Sequence, residues 1–231
     1  MKVMILAAGL GERMRPLTDR VPKALLEAGG TPLIVHLIER LARAGVGDLV
    51  VNVSHFADQI EQRLGDGSRL GVRIAYSREE TALETGGGIA YALPLLGDAP
   101  FGVVNSDVYS DFDFRRLEPA AAAVARGTLD AHLVLVDNPM HHPNGDFSLR
   151  GGHLTPDGPT RLTFSGMGVY SPGLFTTVKR GTRCPLIAVL APAMAQARVG
   201  GEHHRSVWID VGTPERLSKL DRQLRAARDS R

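Results

Sequence analysis

Gly9, Gly11, Arg13, Arg15 and Lys23 carry residue types and spacing suited to holding a polyphosphate. Glycine lets backbone N–H groups approach phosphate oxygens closely, and the guanidinium and ammonium groups neutralise the charge. Val3-Met4-Ile5-Leu6, just before them, is an apolar run of buried-strand length, after which the chain breaks into small residues. Two common Gly-rich loops do not fit. A P-loop needs Gly, four residues and then Gly-Lys-Ser/Thr, which is absent. A dinucleotide fingerprint needs a third glycine where Met14 stands and an acidic residue roughly 20 positions further on.

Leu83-Glu84-Thr85-Gly86-Gly87-Gly88 places three glycines at a predicted helix start. Unobstructed backbone groups there suit edge-on recognition of a base or sugar, and the same residues suit a flexible turn. Phe101-Gly102-Val103-Val104 reads as a buried strand ending in Asn105-Ser106-Asp107. A carboxylate at such a strand end is costly to desolvate without a positive partner, which a divalent cation supplies. Mg²⁺ takes oxygen ligands, commonly one or two protein carboxylates with substrate phosphates. Val207-Trp208-Ile209-Asp210-Val211-Gly212-Thr213 repeats the pattern, so Asp107 and Asp210 are expected to converge on one metal site.

Asp146, between Gly145 and Phe147, is a candidate for hydrogen bonding sugar hydroxyls or an amide. Gly166 and Gly168, inside a strand predicted over 161–170, leave room for a sugar ring. Residues 138–146 read as a polar loop; its His141-His142 pair invites a metal reading, but adjacent residues on a strand would point to opposite sides and no third ligand is suggestively spaced.

These residues need a scaffold, and hydrophobic periodicity outlines one. Thr31-Pro32 suits a helix start, with threonine as cap, and Leu33, Leu37, Ile38 and Leu41 recur at helical spacing. Leu49 to Val53 reads as a second strand, Phe56, Ile60 and Leu64 stripe the next helix, and Val72, Ile74 and Tyr76 alternate as a third strand. Helices are expected at 114–125, 186–194 and 214–227, with a strand at 133–136. Strand and helix in alternation predict an α/β chain with a mostly parallel sheet covered by helices, and ligands gather at the strands' carboxyl ends. The amphipathic segment 216–231 reads as a packed terminal helix. No repeat or linker divides the chain, so one domain over 1–231 is expected.

At 231 residues, 43% hydrophobic, the chain can bury a full core. A net charge of +2 without like-charge blocks, and 5% aromatic residues, give a nucleic-acid surface little to work with. Cys184 alone makes no internal disulfide and no cysteine-based zinc site; it reads as a small packing residue in a reducing, cytoplasmic setting. The apolar start halts at Gly9, unlike a signal peptide, and no run approaches the roughly 20 residues of a membrane span. A soluble protein is expected, with no nucleic-acid, membrane or obligate protein partner.

Leu6-Ala7-Ala8-Gly9-x-Gly11-x-Arg13-Met14-x-Pro16-Leu17-Thr18, followed by Pro22-Lys23, resembles the signature of the sugar 1-phosphate nucleotidyltransferases. Glu84-Thr85-Gly86-Gly87-Gly88, Asp107 and Trp208 to Thr213 are similar to that family's base- and sugar-binding turn and metal aspartates. With Leu135 to Pro139 and Gly145-Asp146-Phe147, they resemble in particular its N-acetylmuramate 1-phosphate uridylyltransferases. The resemblance implies a Rossmann-like nucleotide-diphospho-sugar transferase fold, with a nucleotide-binding half to about residue 110 and a sugar-binding half beyond. It implies Mg²⁺ held by Asp107 and Asp210, and small-molecule substrates, UTP and a sugar 1-phosphate. It implies that Ala8, Gly9, Gly11, Glu12, Thr85 and Gly86 hold the nucleotide, with Arg13 on the leaving pyrophosphate and Lys23 on the α-phosphate. Glu84, Asn105, Asp146 and Gly166 are implied at the sugar or nucleoside. Ser106 departs from the family's usual glycine before the metal aspartate, which bears on the acceptor pocket. No hexapeptide repeat follows Thr213, so no acetyltransferase activity is expected. The shared loop, lysine and aspartates also fit mannose 1-phosphate guanylyltransferases and glucose 1-phosphate thymidylyltransferases. A nucleotide-binding regulator without turnover is a further reading, against which Arg13, Lys23, Asp107 and Asp210 all stand.

Overall fold

The computed structural model describes residues 1–229; the last two positions of the expected terminal helix lie outside the described residues. In chain order the elements are β1 (Val3–Leu6), β2 (Glu27–Ala28), β3 (Thr31–Pro32), α1 (Leu33–Arg43), β4 (Asp48–Val53), α2 (Ala57–Leu64), β5 (Arg73–Arg78), α3 (Glu84–Leu96), β6 (Phe101–Asn105) and β7 (Val108–Ser110). They continue as α4 (Leu117–Ala125), β8 (Ala131–Val136), β9 (Phe147–Arg150), β10 (His153–Thr155), β11 (Arg161–Tyr170), α5 (Leu186–Ala195), β12 (Val199–His204), β13 (Trp208–Asp210) and α6 (Pro214–Asp229).

The central sheet runs β5-β4-β1-β6-β11-β8-β12-β10-β9. Its first four strands are mutually parallel, and β11 then reverses the direction against both β6 and β8. Beyond it β12 pairs parallel with β8, and β10 and β9 close the far edge antiparallel. The sheet is thus mixed, with the parallel part where strand and helix alternate most regularly in sequence.

Alternation along the strands sends apolar residues to both faces. Val3 and Ile5 of β1 pack with Ile34 and Ile38 of α1, Ile60 of α2 and Leu117 of α4. Met4 of the same strand faces the other way, toward Ile89 of α3 and Leu190 of α5. All three β1 residues are fully buried, which contributes about 1.5–3 kcal/mol per side chain. A third cluster joins Met14 and Leu33 to Leu217 and Leu220 of α6, so the terminal helix packs under the Gly-rich loop. Among the described residues, no helix is long and apolar enough to cross a membrane.

Several local expectations change. Thr31 does not cap α1; it pairs with Ala28 in the β2–β3 ladder, and Pro32 stands at the cap without a side-chain bond. Phe56 lies just ahead of α2 with φ 60°, outside the helical stripe. The glycines 86–88 are buried within the first turns of α3 and do not form a flexible turn. β12, with the sequence Val-Gly-Gly-Glu-His-His, lacks the apolar alternation that marks strands, and β9 and β10 alternate over only four and three residues.

Candidate active site

Register places Ser77, Asn52, Leu6 and Asn105 side by side across the carboxyl ends of β5, β4, β1 and β6. Several of the candidate side chains lie at or near this edge. Directly after β1, the Ala7 N–H donates to Asn52 Oδ1 at 2.7 Å, which ties the Gly-rich loop to β4. Asn52 Nδ2 donates in turn to Glu79 Oε1 at 2.7 Å, and Glu79 Oε2 accepts from the Leu83 N–H at 3.1 Å. Burial pushes the Glu79 carboxyl above its usual range, against the lowering effect of those two bonds. Neither Asn52 nor Glu79 stood out in the sequence; both are polar residues at or just past the carboxyl end of a strand.

Gly11 takes φ 65°, and a Cβ there would press on Thr18 Cγ2 at 3.0 Å. The turn closes with Met14 N–H on the Gly11 carbonyl at 2.8 Å, and Thr18 Oγ1 donates to the same oxygen at 2.8 Å. Gly9 differs: a Cβ at that position meets nothing within 4 Å.

A cavity of about 790 Å³ opens above this edge. Ala8, Gly9, Gly11, Glu12, Arg13 and Lys23 line it, together with Glu84 and Thr85. Gly86 is not on the wall. Its Cβ would meet the Cys184 carbonyl oxygen at 2.9 Å, and one on Gly87 would collide with the Thr182 carbonyl oxygen. The Gly87 N–H donates to Cys184 O at 3.0 Å, and the Cys184 N–H donates to Leu83 O at 3.0 Å. The triple glycine therefore admits the backbone of 182–185 and Glu79 against α3, and its buried backbone does not meet the cavity. Cys184 is part of this packing. Glu84 has φ 61°, a left-handed conformation costing about 1–2 kcal/mol for a residue with a Cβ, and its carboxylate pairs with Arg183 at 2.9 Å.

A second cavity of about 340 Å³ lies beside the first. Gly166, Trp208, His141, His142 and Asp210 line it. Gly166 sits at a bulge in β11 with φ 79°, where a Cβ would strike the Asn105 amide. Arg13, Asn105 and Asp107 are on the walls of both cavities.

Asp107 and Asp210 both line the smaller cavity. β7 and β13 pair antiparallel, Asp210 opposite Val108, with Val211 N–H on the Asp107 carbonyl at 2.9 Å. Asp107 receives the Lys23 ammonium, and Asp210 receives Arg216 at 2.8 Å. Among the described residues no group of three or more His, Cys, Asp or Glu is placed to hold a metal by itself. Two carboxylates facing one cavity fit Mg²⁺, whose remaining ligands are commonly water and phosphate oxygens. Ser106 is buried on the wall of the larger cavity, its N–H on Leu6 O at 3.1 Å.

Asp146 is placed differently from expectation. It lies behind the wall of the smaller cavity: its Oδ2 accepts from Phe164 N–H at 2.8 Å, and its Oδ1 lies 3.0 Å from His142 Nε2. His141 and His142 lie in the expected polar loop between β8 and β9, and both reach the cavity; His141 Nε2 is 2.7 Å from Arg216 Nη1. The alternation argument that separated them therefore does not apply.

Residues 2–147 match the family model described as nucleotidyl transferase. The chain is 50% identical to the N-acetylmuramate alpha-1-phosphate uridylyltransferase of Neisseria meningitidis serogroup B (strain ATCC BAA-335 / MC58), over 95% of this chain and 96% of that one. It is 37% identical to the protein of the same name from Caulobacter vibrioides (strain ATCC 19089 / CIP 103742 / CB 15), over 97% and 96%. A crystal structure from Bacillus anthracis, provisionally assigned as a glucose-1-phosphate thymidylyltransferase and holding a sucrose, superposes with a TM-score of 0.85. It covers 97% of this chain and 95% of its own at 19% identity, a likeness of fold. With the expected phosphate loop, lysine and paired aspartates gathered at one sheet edge, the chain belongs to the nucleotidyl transferase family.

Proposed function

We propose that the chain transfers a uridylyl group from UTP to N-acetylmuramate 1-phosphate, giving UDP-N-acetylmuramate and pyrophosphate in cell-wall recycling in the cytoplasm. The observation that carries the reading is the pair of adjoining cavities with Arg13, Asn105 and Asp107 common to both. Two substrates held side by side meet at a cation and a carboxylate, as transfer between two anions requires. The choice of uridine and N-acetylmuramate rests on the two uridylyltransferase relatives.

An oxygen of the sugar 1-phosphate attacks the α-phosphorus of UTP. The bond from that phosphorus to the bridging oxygen breaks, and its electron pair leaves with pyrophosphate. The acceptor is already ionised near neutral pH, so no general base is needed, and positioning with charge neutralisation supplies the rate. The loop at Ala8, Gly9, Gly11 and Glu12 holds the triphosphate. Arg13 screens the departing pyrophosphate, and Lys23 leaves Asp107 to meet the α-phosphate and acceptor. Thr85 and Glu84 face the nucleoside, and Asn105 and Gly166 bound the sugar. Mg²⁺, when bound, supplies charge neutralisation between the two phosphates, and Asp107 and Asp210 are the residues that hold it. Residues to about 110 supply most of the nucleotide wall and later ones most of the sugar wall, with Arg183 and Gly212 crossing over.

Phosphorus NMR of the protein with Mg²⁺, UTP and N-acetylmuramate 1-phosphate tests this. Equimolar UDP-N-acetylmuramate and pyrophosphate are expected. Folded protein that forms neither overturns the reading.

A further inference from the structure

The turn carrying His141 and His142 is built to hold its shape. Asn138 Nδ2 donates to the carbonyls of Pro143 at 3.0 Å and Arg161 at 2.9 Å, and Asn138 Oδ1 accepts from Thr163 Oγ1 at 2.9 Å. Gly145, at φ 60°, packs so closely that a Cβ would lie 2.8 Å from the Arg161 carbonyl carbon. Asp146 completes the clamp: its N–H donates to Leu162 O at 2.8 Å, its carbonyl accepts from Arg161 Nη2 at 3.0 Å, and its Oδ2 takes the Phe164 N–H. This fixed carboxylate then sets the His142 ring through Nε2 and leaves Nδ1 as the ring's other polar atom.

Of the positive groups near the smaller cavity, Arg216 and Lys23 have protein partners, and Arg13 is the one assigned above to the pyrophosphate. Arg216 is on Asp210 and His141, Lys23 is on Asp107, and Arg13 stands where the two cavities meet. N-acetylmuramate differs from N-acetylglucosamine by a lactyl ether ending in a carboxylate, so an acceptor site for it must meet a second anion besides the phosphate. We infer that His142 is the specificity-determining residue that receives this carboxylate, and that Asp146 is its positioning residue. The inference rests on the proposed function. The ring keeps Nε2 on Asp146 and offers Nδ1 to the lactyl carboxylate. Such charge-assisted bonds are roughly twice as strong as neutral ones.

The test compares kcat/KM for N-acetylmuramate 1-phosphate and N-acetylglucosamine 1-phosphate, with UTP, in wild type, His142→Ala and Asp146→Asn. The wild-type preference for the lactyl sugar is expected to fall about ten-fold or more in His142→Ala, mainly through KM, and in the same direction but less in Asp146→Asn. Where the second sugar does not turn over, its dissociation constant by calorimetry replaces the rate. If His142→Ala is insoluble, His142→Gln serves. Equal losses with both sugars, or an unchanged preference, overturn the inference while wild-type turnover keeps the proposed function standing. A wild type that uses another sugar phosphate and not this one overturns both.

Discussion

Lys23 places its ammonium on the Asp107 carboxylate, a residue 84 positions away in sequence, where the two cavities meet. Both side chains are largely withdrawn from solvent, 14% and 22% exposed, so each offsets the other's desolvation. A cation parked on a carboxylate is a charge pair that incoming anions and Mg²⁺ can separate.

Lys23→Ala and Asp107→Asn should therefore each lower kcat by about 10²-fold or more, the scale on which a preorganised charge contributes to a transition state. Steady-state pyrophosphate release checks this, with far-UV circular dichroism to confirm the fold. Wild-type kcat in either variant removes that residue from the mechanism.

Chelation should stop turnover without loosening the free protein. Lys23 and Arg216 already meet the two aspartates, so their carboxylates do not need the metal for folding. Asp210→Asn should raise the Mg²⁺ concentration needed for half-maximal rate. A fall in the thermal midpoint of the ligand-free protein on adding EDTA would contradict this division of labour.

Two glycines should behave in opposite ways. Gly9→Ala meets no neighbour, so stability should stay within about 0.5 kcal/mol while the UTP KM rises. Gly87→Ala drives a methyl into the Thr182 carbonyl and should cost about 1–3 kcal/mol. Denaturant unfolding of both variants, read beside UTP kinetics, separates the ligand-facing glycine from the packing one. Equal stability losses would refute the contrast.

Glu79 should leave a signature in stability against pH. Its folded carboxyl lies above the ordinary value of 4.5, so between that value and its folded one the native state binds more protons than the unfolded chain. Its contribution to stability must then fall as pH rises through that window and level off above it. Glu79→Gln removes the titration, so wild-type stability measured relative to the variant should decline with pH from about 4.5 upward. Parallel curves would show that burial does not shift this group.

The Gly-rich side of the site is legible in the sequence because its residues are local. The β1 strand, the Gly9–Gly11 turn, Arg13 and Lys23 lie within one short stretch, and a continuous apolar run marks the strand beneath them. Asp107 and Asp210 were readable as carboxylates ending short apolar strands. The triple glycine was less legible, since what it admits, the backbone of 182–185, comes from far along the chain. Asp146 and His142 show the same limit. Their types announced polar chemistry, but which of the two faces the cavity depends on a hydrogen bond to Phe164 that sequence spacing does not encode. Asn52 and Glu79 were missed because single polar residues at strand ends carry no pattern.

Pyrophosphate release in Mg²⁺, with UTP, ATP, GTP, CTP and dTTP each crossed against the 1-phosphates of N-acetylmuramate, N-acetylglucosamine, glucose and mannose, tests the central claim most directly. The account predicts the dominant rate with UTP and N-acetylmuramate 1-phosphate. A dominant rate with another pair, or nucleotide binding without release in every combination, would contradict it.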